Sequence, residues 1–66
     1  MQVSVNGEPK ALEGVVTVAE LLQLYRLTPE RVAVEVNERL VRRGAYAQTQ
    51  LSVGDRVEIV TLVGGG

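Results

Sequence analysis

Valine alternates with other residues in several short segments of this chain, and neither cysteine nor histidine is present. Residues 2–5, 32–36 and 57–59 each place a branched apolar side chain at every second position, which is the period of a half-buried β-strand. A 66-residue chain without disulfides or cysteine–histidine metal sites must build its core from aliphatic packing alone. Because valine suits a pleated sheet better than a helix, we predict a small, sheet-rich domain with little helix.

The missing residue types also exclude several classes of function. Without cysteine there is no thiolate nucleophile, and without histidine there is no imidazole base or imidazole metal ligand. Seven Lys and Arg residues nearly balance eight Asp and Glu residues, which gives no electrostatic footprint for nucleic acid. No apolar run approaches the roughly 20 residues that span a membrane, and no secretory signal is visible. We therefore expect a cytoplasmic binding module, or a protein on which enzymes act, with no catalytic residue and no metal site.

Turn and capping signals define the first half of the chain. The dipeptide Asn6-Gly7 predicts a tight hairpin, and Pro9 restricts the second strand of that hairpin to a sheet edge. Thr17 followed by Glu20 matches a capping box, so a helix of about two turns begins there and should end near Arg26. A helix this short is not stable alone in water, and we expect it to lie on the sheet.

The second half of the chain contains the remaining strands. Residues 31–37 predict a third strand, Asn37-Glu38 turns the chain, and residues 40–41 form a short fourth strand. Residues 42–50 have no regular period, and Tyr46 is their only large anchor. We expect Tyr46 to fill the core while its hydroxyl stays in water. With a last strand at 56–63, the predicted order is β-β-α-β-β-β.

The last strand is unusual because both of its faces are apolar. Val57 and Ile59 share one face with Thr61, and the opposite face should be polar if it is solvated. An exposed apolar strand surface is a liability unless a partner covers it. The outer residues of this strand and its apolar continuation therefore predict a docking surface for another protein: Glu58, Val60, Leu62 and Val63.

Three consecutive glycines follow this strand. Because glycine has no side chain, such a tail can pass through a narrow channel and present its carboxylate in another protein's active site. Terminal glycines are also commonly passive, and on the tail alone that alternative stays open. The adjacent apolar surface favours the functional interpretation. We expect residues 1–63 to form a single domain, followed by a flexible tail of Gly64, Gly65 and Gly66, with the Gly66 carboxylate as the reacting group.

Other candidate sites are weaker. The carboxylates are scattered along the chain and lack the context of a glycosidase pair or a metal site. Arg42-Arg43 is a two-residue basic step, which we interpret as solvated surface or as a rim contact to an acidic partner.

Five segments of the chain form recognisable motifs: V-x-V-N-G at 3–7, V-A-V-E-V-N at 32–37, V-x-R-x-x-Y at 41–46, L-S-V-G-D-R-V-E-I-V at 51–60 and the closing G-G-G. Together they resemble the β-grasp sulfur carriers of thiamine biosynthesis, the ThiS family, over nearly the whole chain. Relatives often carry Pro in place of Arg42 and Trp in place of Tyr46, which bears on the subfamily more than on the fold. The resemblance implies an α+β, ubiquitin-like β-grasp fold: a mixed sheet of four to five strands with one short helix packed on one face.

The resemblance also implies that the chain is a protein cosubstrate and not an enzyme. A ThiF-type adenylating enzyme would use ATP and Mg²⁺ to convert the Gly66 carboxylate to an acyl adenylate. Sulfur from a cysteine desulfurase, or from another donor, would displace AMP and leave a thiocarboxylate. Thiazole synthase (ThiG) would then take this sulfur into the thiazole ring of thiamine, and no cofactor would remain bound to the chain.

Three alternatives stay open at the level of sequence. The same chemistry could serve molybdopterin synthesis or transfer RNA thiolation. A ubiquitin-like modifier would instead join Gly66 to lysines of other proteins through an amide bond. A plain interaction domain with an inert tail would lose no function when Gly65 and Gly66 are removed.

Overall fold

The computed structural model describes residues 1–14 and 17–62, which form a five-stranded sheet with an α-helix packed on one face. The order β-β-α-β-β-β predicted from the sequence is confirmed, and two short 3₁₀ turns that were not predicted interrupt the second half. The elements are β1 (Gln2–Val5), β2 (Glu8–Ala11), α1 (Val18–Leu24), a 3₁₀ turn (Pro29–Arg31), β3 (Val32–Val36), β4 (Arg39–Val41), a second 3₁₀ turn (Arg43–Ala45) and β5 (Arg56–Thr61).

The strands follow the order β2-β1-β5-β3-β4 across the sheet. β5 runs parallel to β1, whereas every other neighbouring pair is antiparallel, so the sheet is mixed as expected. Pro9 on β2 pairs with Ser4 on β1, and β2 is an edge strand, which confirms the position inferred from the missing N–H group of Pro9. The central strand is β5, which pairs with β1 at Arg56 and Val57 and with β3 from Val57 to Thr61.

Two hairpins close through turns whose central residues are left-handed. Asn6 and Gly7 have φ angles of 52° and 84°, as the Asn-Gly dipeptide predicts. The second turn uses Asn37 and Glu38, with φ angles of 53° and 69°, and so holds a glutamate in a region that favours glycine. The Asn37 side chain supports this turn, because its Oδ1 accepts a hydrogen bond of 2.9 Å from the Arg56 backbone N–H.

The capping box at the start of α1 is present. The backbone N–H of Glu20 donates to Thr17 Oγ1 at 3.1 Å, and the Thr17 N–H donates to Glu20 Oε1 at 3.1 Å. The helix ends at Leu24, two residues before the expected position, because Arg26 has a φ angle of 58°. The N–H groups of Arg26 and Leu27 close this end as a Schellman motif, donating to the carbonyls of Gln23 and Leu22.

The core lies between α1 and the sheet. Val18, Leu21 and Leu22 of the helix are 0% exposed and form one apolar stripe, which confirms the expectation that this helix lies on the sheet. The segment 42–50 closes the core with Tyr46, whose hydroxyl donates to the backbone oxygen of Val32 at 3.5 Å. The expectation that this hydroxyl stays in water is wrong, since the second 3₁₀ turn carries the ring beneath the start of β3. The buried side chains are Val3, Val5, Leu12, Val18, Leu21, Leu22, Val32, Val34, Tyr46, Leu51, Val57 and Ile59.

Candidate docking surface on the outer sheet face

The face of the sheet opposite α1, here called the outer face, carries large exposed apolar side chains. Leu40, Val60 and Leu62 are 68%, 59% and 52% exposed. Val57 and Ile59 of the same strand are buried on the helix side, so the two faces assigned to β5 are confirmed. A contiguous apolar surface of this kind is more typical of an interaction site than of solvated sheet.

Strand register arranges the outer residues in two rows. Glu35 on β3 lies between Leu40 on β4 and Glu58 on β5, and Ala33 lies directly opposite Val60. Together with Glu38 and Arg56, these residues line a shallow concavity of about 350 Å³. The structure therefore brings the predicted Glu58 and Val60 together on one surface.

Sequence reasoning missed five residues that line this concavity, namely Ala33, Glu35, Glu38, Leu40 and Arg56. The alternation in V-A-V-E-V assigns Ala33 and Glu35 to the face opposite Val34, so this pattern does indicate that they lie on the outer face. No sequence pattern indicates the face of Leu40, because it depends on the register that the Asn37-Glu38 turn imposes.

Leu62 extends the apolar surface beyond the end of β5. Its backbone N–H donates to the Arg31 carbonyl at 2.7 Å, which continues the pairing of β5 with the chain that leads into β3. Leu62 borders a second concavity of about 310 Å³, which Ala33 and Leu40 also line. The residues that complete this concavity are Pro29, Glu30, Val32, Val41, Arg42, Arg43 and Tyr46.

The two ends of the outer face differ in charge. Glu35, Glu38 and Glu58 line the first concavity beside one cation, Arg56. Exposed Arg42 and Arg43 line the second concavity. Their contact with the rim of an acidic partner stays a prediction. Within residues 1–14 and 17–62, the carboxylates form no cluster of three or more that could hold a metal ion.

The remaining predicted site residues, Val63, Gly64, Gly65 and Gly66, lie outside the residues that the structure describes. Leu62 is the last described residue, and it lies on the outer face. Among the described residues, no helix is long and apolar enough to cross a membrane.

Comparison with known proteins places the chain in a family. Residues 3–66 match the family model described as the ThiS family. The crystal structure of the thiamine biosynthesis protein ThiS from Geobacter metallireducens superposes with a TM-score of 0.85 at 36% identity, covering 100% of both chains. The sulfur carrier protein ThiS of Bacillus subtilis is 38% identical over 50 residues, which is 76% of each chain.

A longer protein contains a segment of the same kind. The thiazole synthase of Magnetococcus marinus is 41% identical over 66 residues, which is 100% of this chain. That match covers 20% of the relative, so the chain spans about a fifth of its length. The family model, the matching strand topology and these relatives agree, and the chain belongs to the ThiS family of ubiquitin-like, β-grasp sulfur carriers in thiamine biosynthesis.

Proposed function

We propose that this chain carries sulfur as a thiocarboxylate on Gly66 and donates it for thiazole formation in thiamine biosynthesis. The observation that carries the proposal is the exposed apolar outer face, which reaches Leu62, four residues before Gly66, in a member of the ThiS family. A carrier needs a surface on which its enzymes dock and one group on which they act. The chain has no cysteine, so the sulfur must be held elsewhere than on a thiol side chain.

The first step activates the Gly66 carboxylate, which is a poor electrophile. A ThiF-type adenylating enzyme binds ATP and Mg²⁺, and a Gly66 carboxylate oxygen attacks the α-phosphorus while pyrophosphate leaves. The acyl adenylate that results has AMP as a good leaving group. In this scheme the adenylating enzyme supplies the catalytic groups, and the carrier supplies the substrate carboxylate.

The second step exchanges oxygen for sulfur. A persulfide sulfur, from a cysteine desulfurase or another donor, attacks the acyl carbon and AMP leaves. A second thiol then attacks the donor-side sulfur of this acyl disulfide, which leaves a disulfide between that thiol and the donor cysteine and releases the Gly66 thiocarboxylate. Thiazole synthase (ThiG) is the proposed acceptor, because proteins named thiazole synthase in Magnetococcus marinus and Paramagnetospirillum magneticum contain a segment similar to this chain.

Docking positions the carboxylate for these steps. Val60 and Leu62 offer apolar area that a partner can bury, and fully burying such a side chain contributes about 1.5–3 kcal/mol. Glu58 and Val63 would complete the contact, while Gly64 and Gly65 enter a channel too narrow for side chains. We place this ATP-dependent exchange in the cytoplasm.

A pair of exposed valines tests the docking step. Val60→Asp puts a charge on the outer face, whereas Val53→Asp makes the same change at a 76% exposed valine in the turn before β5. ATP–pyrophosphate exchange with the ThiF-type enzyme of the same organism measures adenylation. We expect Val60→Asp to raise the KM for the carrier at least about tenfold, and Val53→Asp to behave like wild type. Equal KM values for both variants, or no exchange with the wild-type chain, would contradict the proposal.

A further inference from the structure

Two glutamates face each other in the middle of the apolar outer face. Glu35 on β3 and Glu58 on β5 are direct partners in the antiparallel register. Side chains in such positions share one face of the sheet, with Cβ atoms about 5 Å apart, and like charges there destabilise the pairing. The free chain therefore keeps a repulsive pair at the centre of its docking surface.

The surroundings leave this charge largely uncompensated. Within the described part of the chain, the ion pair is between Lys10 and Glu8 on β2, away from the outer face. Arg56 is the cation that lines the first concavity, against three carboxylates, and it makes no ion pair with them within 4 Å. Leu40 on β4 lies directly beside Glu35, and Val60 follows Glu58 by two residues on β5, so apolar side chains flank the two glutamates.

We propose that Glu35 and Glu58 jointly receive one cationic side chain of the adenylating enzyme, while apolar side chains of that enzyme cover Leu40, Val60 and Leu62. This inference rests on the function proposed above and specifies the chemistry of the partner surface. A guanidinium fits best, because its planar fork of donors can reach two carboxylates at once. The described carboxylates do not converge on a chelating site, so a side chain lying across the strand pair suits the geometry better than a metal ion.

Charge complementarity also gives the docking a direction. The first concavity is acidic around Glu35 and Glu58, whereas two arginines, Arg42 and Arg43, and one carboxylate, Glu30, line the second. A partner that places its cation over the glutamates and its acidic groups near Arg42 and Arg43 has one favourable orientation on the outer face. Paired like charges also reject neutral or acidic surfaces, so the same two residues confer specificity.

Substitution of either glutamate by isosteric glutamine tests the proposed cation-binding pair without adding bulk. Dissociation constants for the adenylating enzyme would be measured by titration calorimetry for wild type, Glu35→Gln and Glu58→Gln, at low and at physiological ionic strength. Glu13→Gln is the matched control, because Glu13 is exposed and lines neither concavity. We expect each outer-face variant to bind at least about tenfold more weakly, with a shallower salt dependence, and the control to stay within about twofold.

The outcomes separate this inference from the proposed function. Circular dichroism would first establish that the variants fold, which we expect because each removes a repulsion. If both outer-face variants bind like Glu13→Gln while Val60→Asp fails to bind, the proposal that Glu35 and Glu58 receive a cationic side chain is wrong, and the apolar docking surface stands. If the wild-type chain does not bind the enzyme at all, both proposals are overturned.

Discussion

The side-chain amide of Asn6 forms two hydrogen bonds with the backbone of Ile59. Asn6 Oδ1 accepts from the Ile59 N–H at 2.8 Å, and Asn6 Nδ2 donates to the Ile59 carbonyl at 3.1 Å. The amide thereby continues the β1–β5 pairing, which ends at Val5 and Val57, by one further step. A turn residue near the start of the chain thus fixes the strand that carries the docking surface.

Loss of this clamp should destabilise the fold. Asn6→Gly keeps the left-handed turn but removes both hydrogen bonds, and we expect it to lower the free energy of unfolding by about 2 kcal/mol. Asn6→Ala removes the same hydrogen bonds and, unlike the glycine variant, keeps a Cβ at a φ angle of 52°, so we expect it to be roughly 1 kcal/mol less stable than Asn6→Gly. Urea denaturation with an unchanged m-value measures both effects. Losses below about 0.5 kcal/mol in both variants would show that the clamp contributes little.

Neighbouring positions on β5 should respond in opposite ways to the same substitution. Ile59→Asp buries a charge at a site that is 8% exposed and should cost roughly 4 kcal/mol or more, enough to unfold a domain of this size. Val60→Asp should cost about 1 kcal/mol, mainly through weaker strand propensity. Thermal unfolding followed by circular dichroism distinguishes them. Unfolding of the Val60 variant would mean that the faces of β5 are reversed.

Removal of one outer-face glutamate should stabilise the free chain. Glu35→Gln relieves the repulsion from Glu58, and we expect a gain of about 0.2–1 kcal/mol at low salt that shrinks as salt is added. Glu13→Gln, which has no such opposite partner, should change the free energy of unfolding by less. A loss of stability in Glu35→Gln, or a gain that salt leaves unchanged, would argue that the pair does not repel.

Side-chain bulk in the tail should block adenylation. Gly65→Ala should slow ATP–pyrophosphate exchange and Gly65→Val should abolish it, because the proposed channel admits only glycine. Every core side chain that the structure describes lies between Val3 and Ile59, so we expect a change in the free energy of unfolding within about 0.5 kcal/mol. Gly44→Ala is a matched control, since a Cβ at Gly44 meets no atom within 4 Å. Normal exchange by Gly65→Val would remove the narrow-channel argument.

Local chemistry explains why much of the fold was predictable. Asn6-Gly7 specifies its own turn, and Thr17 with Glu20 specifies a helix start, because the interacting groups lie within a few residues of one another. Pro9 indicated an edge strand because proline has no N–H group to donate to a neighbouring strand. The alternation in β5 separated Val60 from Ile59 for the same local reason.

The features that the sequence did not predict depend on contacts between segments that are distant along the chain. That Glu35 faces Glu58 depends on how β3 and β5 align, and a shift of one residue would have placed the two side chains on opposite faces of the sheet. The buried hydroxyl of Tyr46 depends on the second 3₁₀ turn, which has no periodic signal. The Asn6 clamp joins residues 53 positions apart, and neither residue type indicates that the two are hydrogen-bonded.

A thiocarboxylate on Gly66 is the most direct test of the proposed sulfur-carrier function. Untagged protein purified from its own host would be treated with a thiol-selective alkylating reagent, and mass spectrometry of the peptide ending at Gly66 would locate the label. Because the 66 residues contain no cysteine, a label on this peptide reports acyl sulfur, and peptide mapping separates it from oxidation of Met1. We predict a label on Gly66. Absence of the label, even after incubation with ATP, the adenylating enzyme and a sulfur donor, would contradict the carrier mechanism.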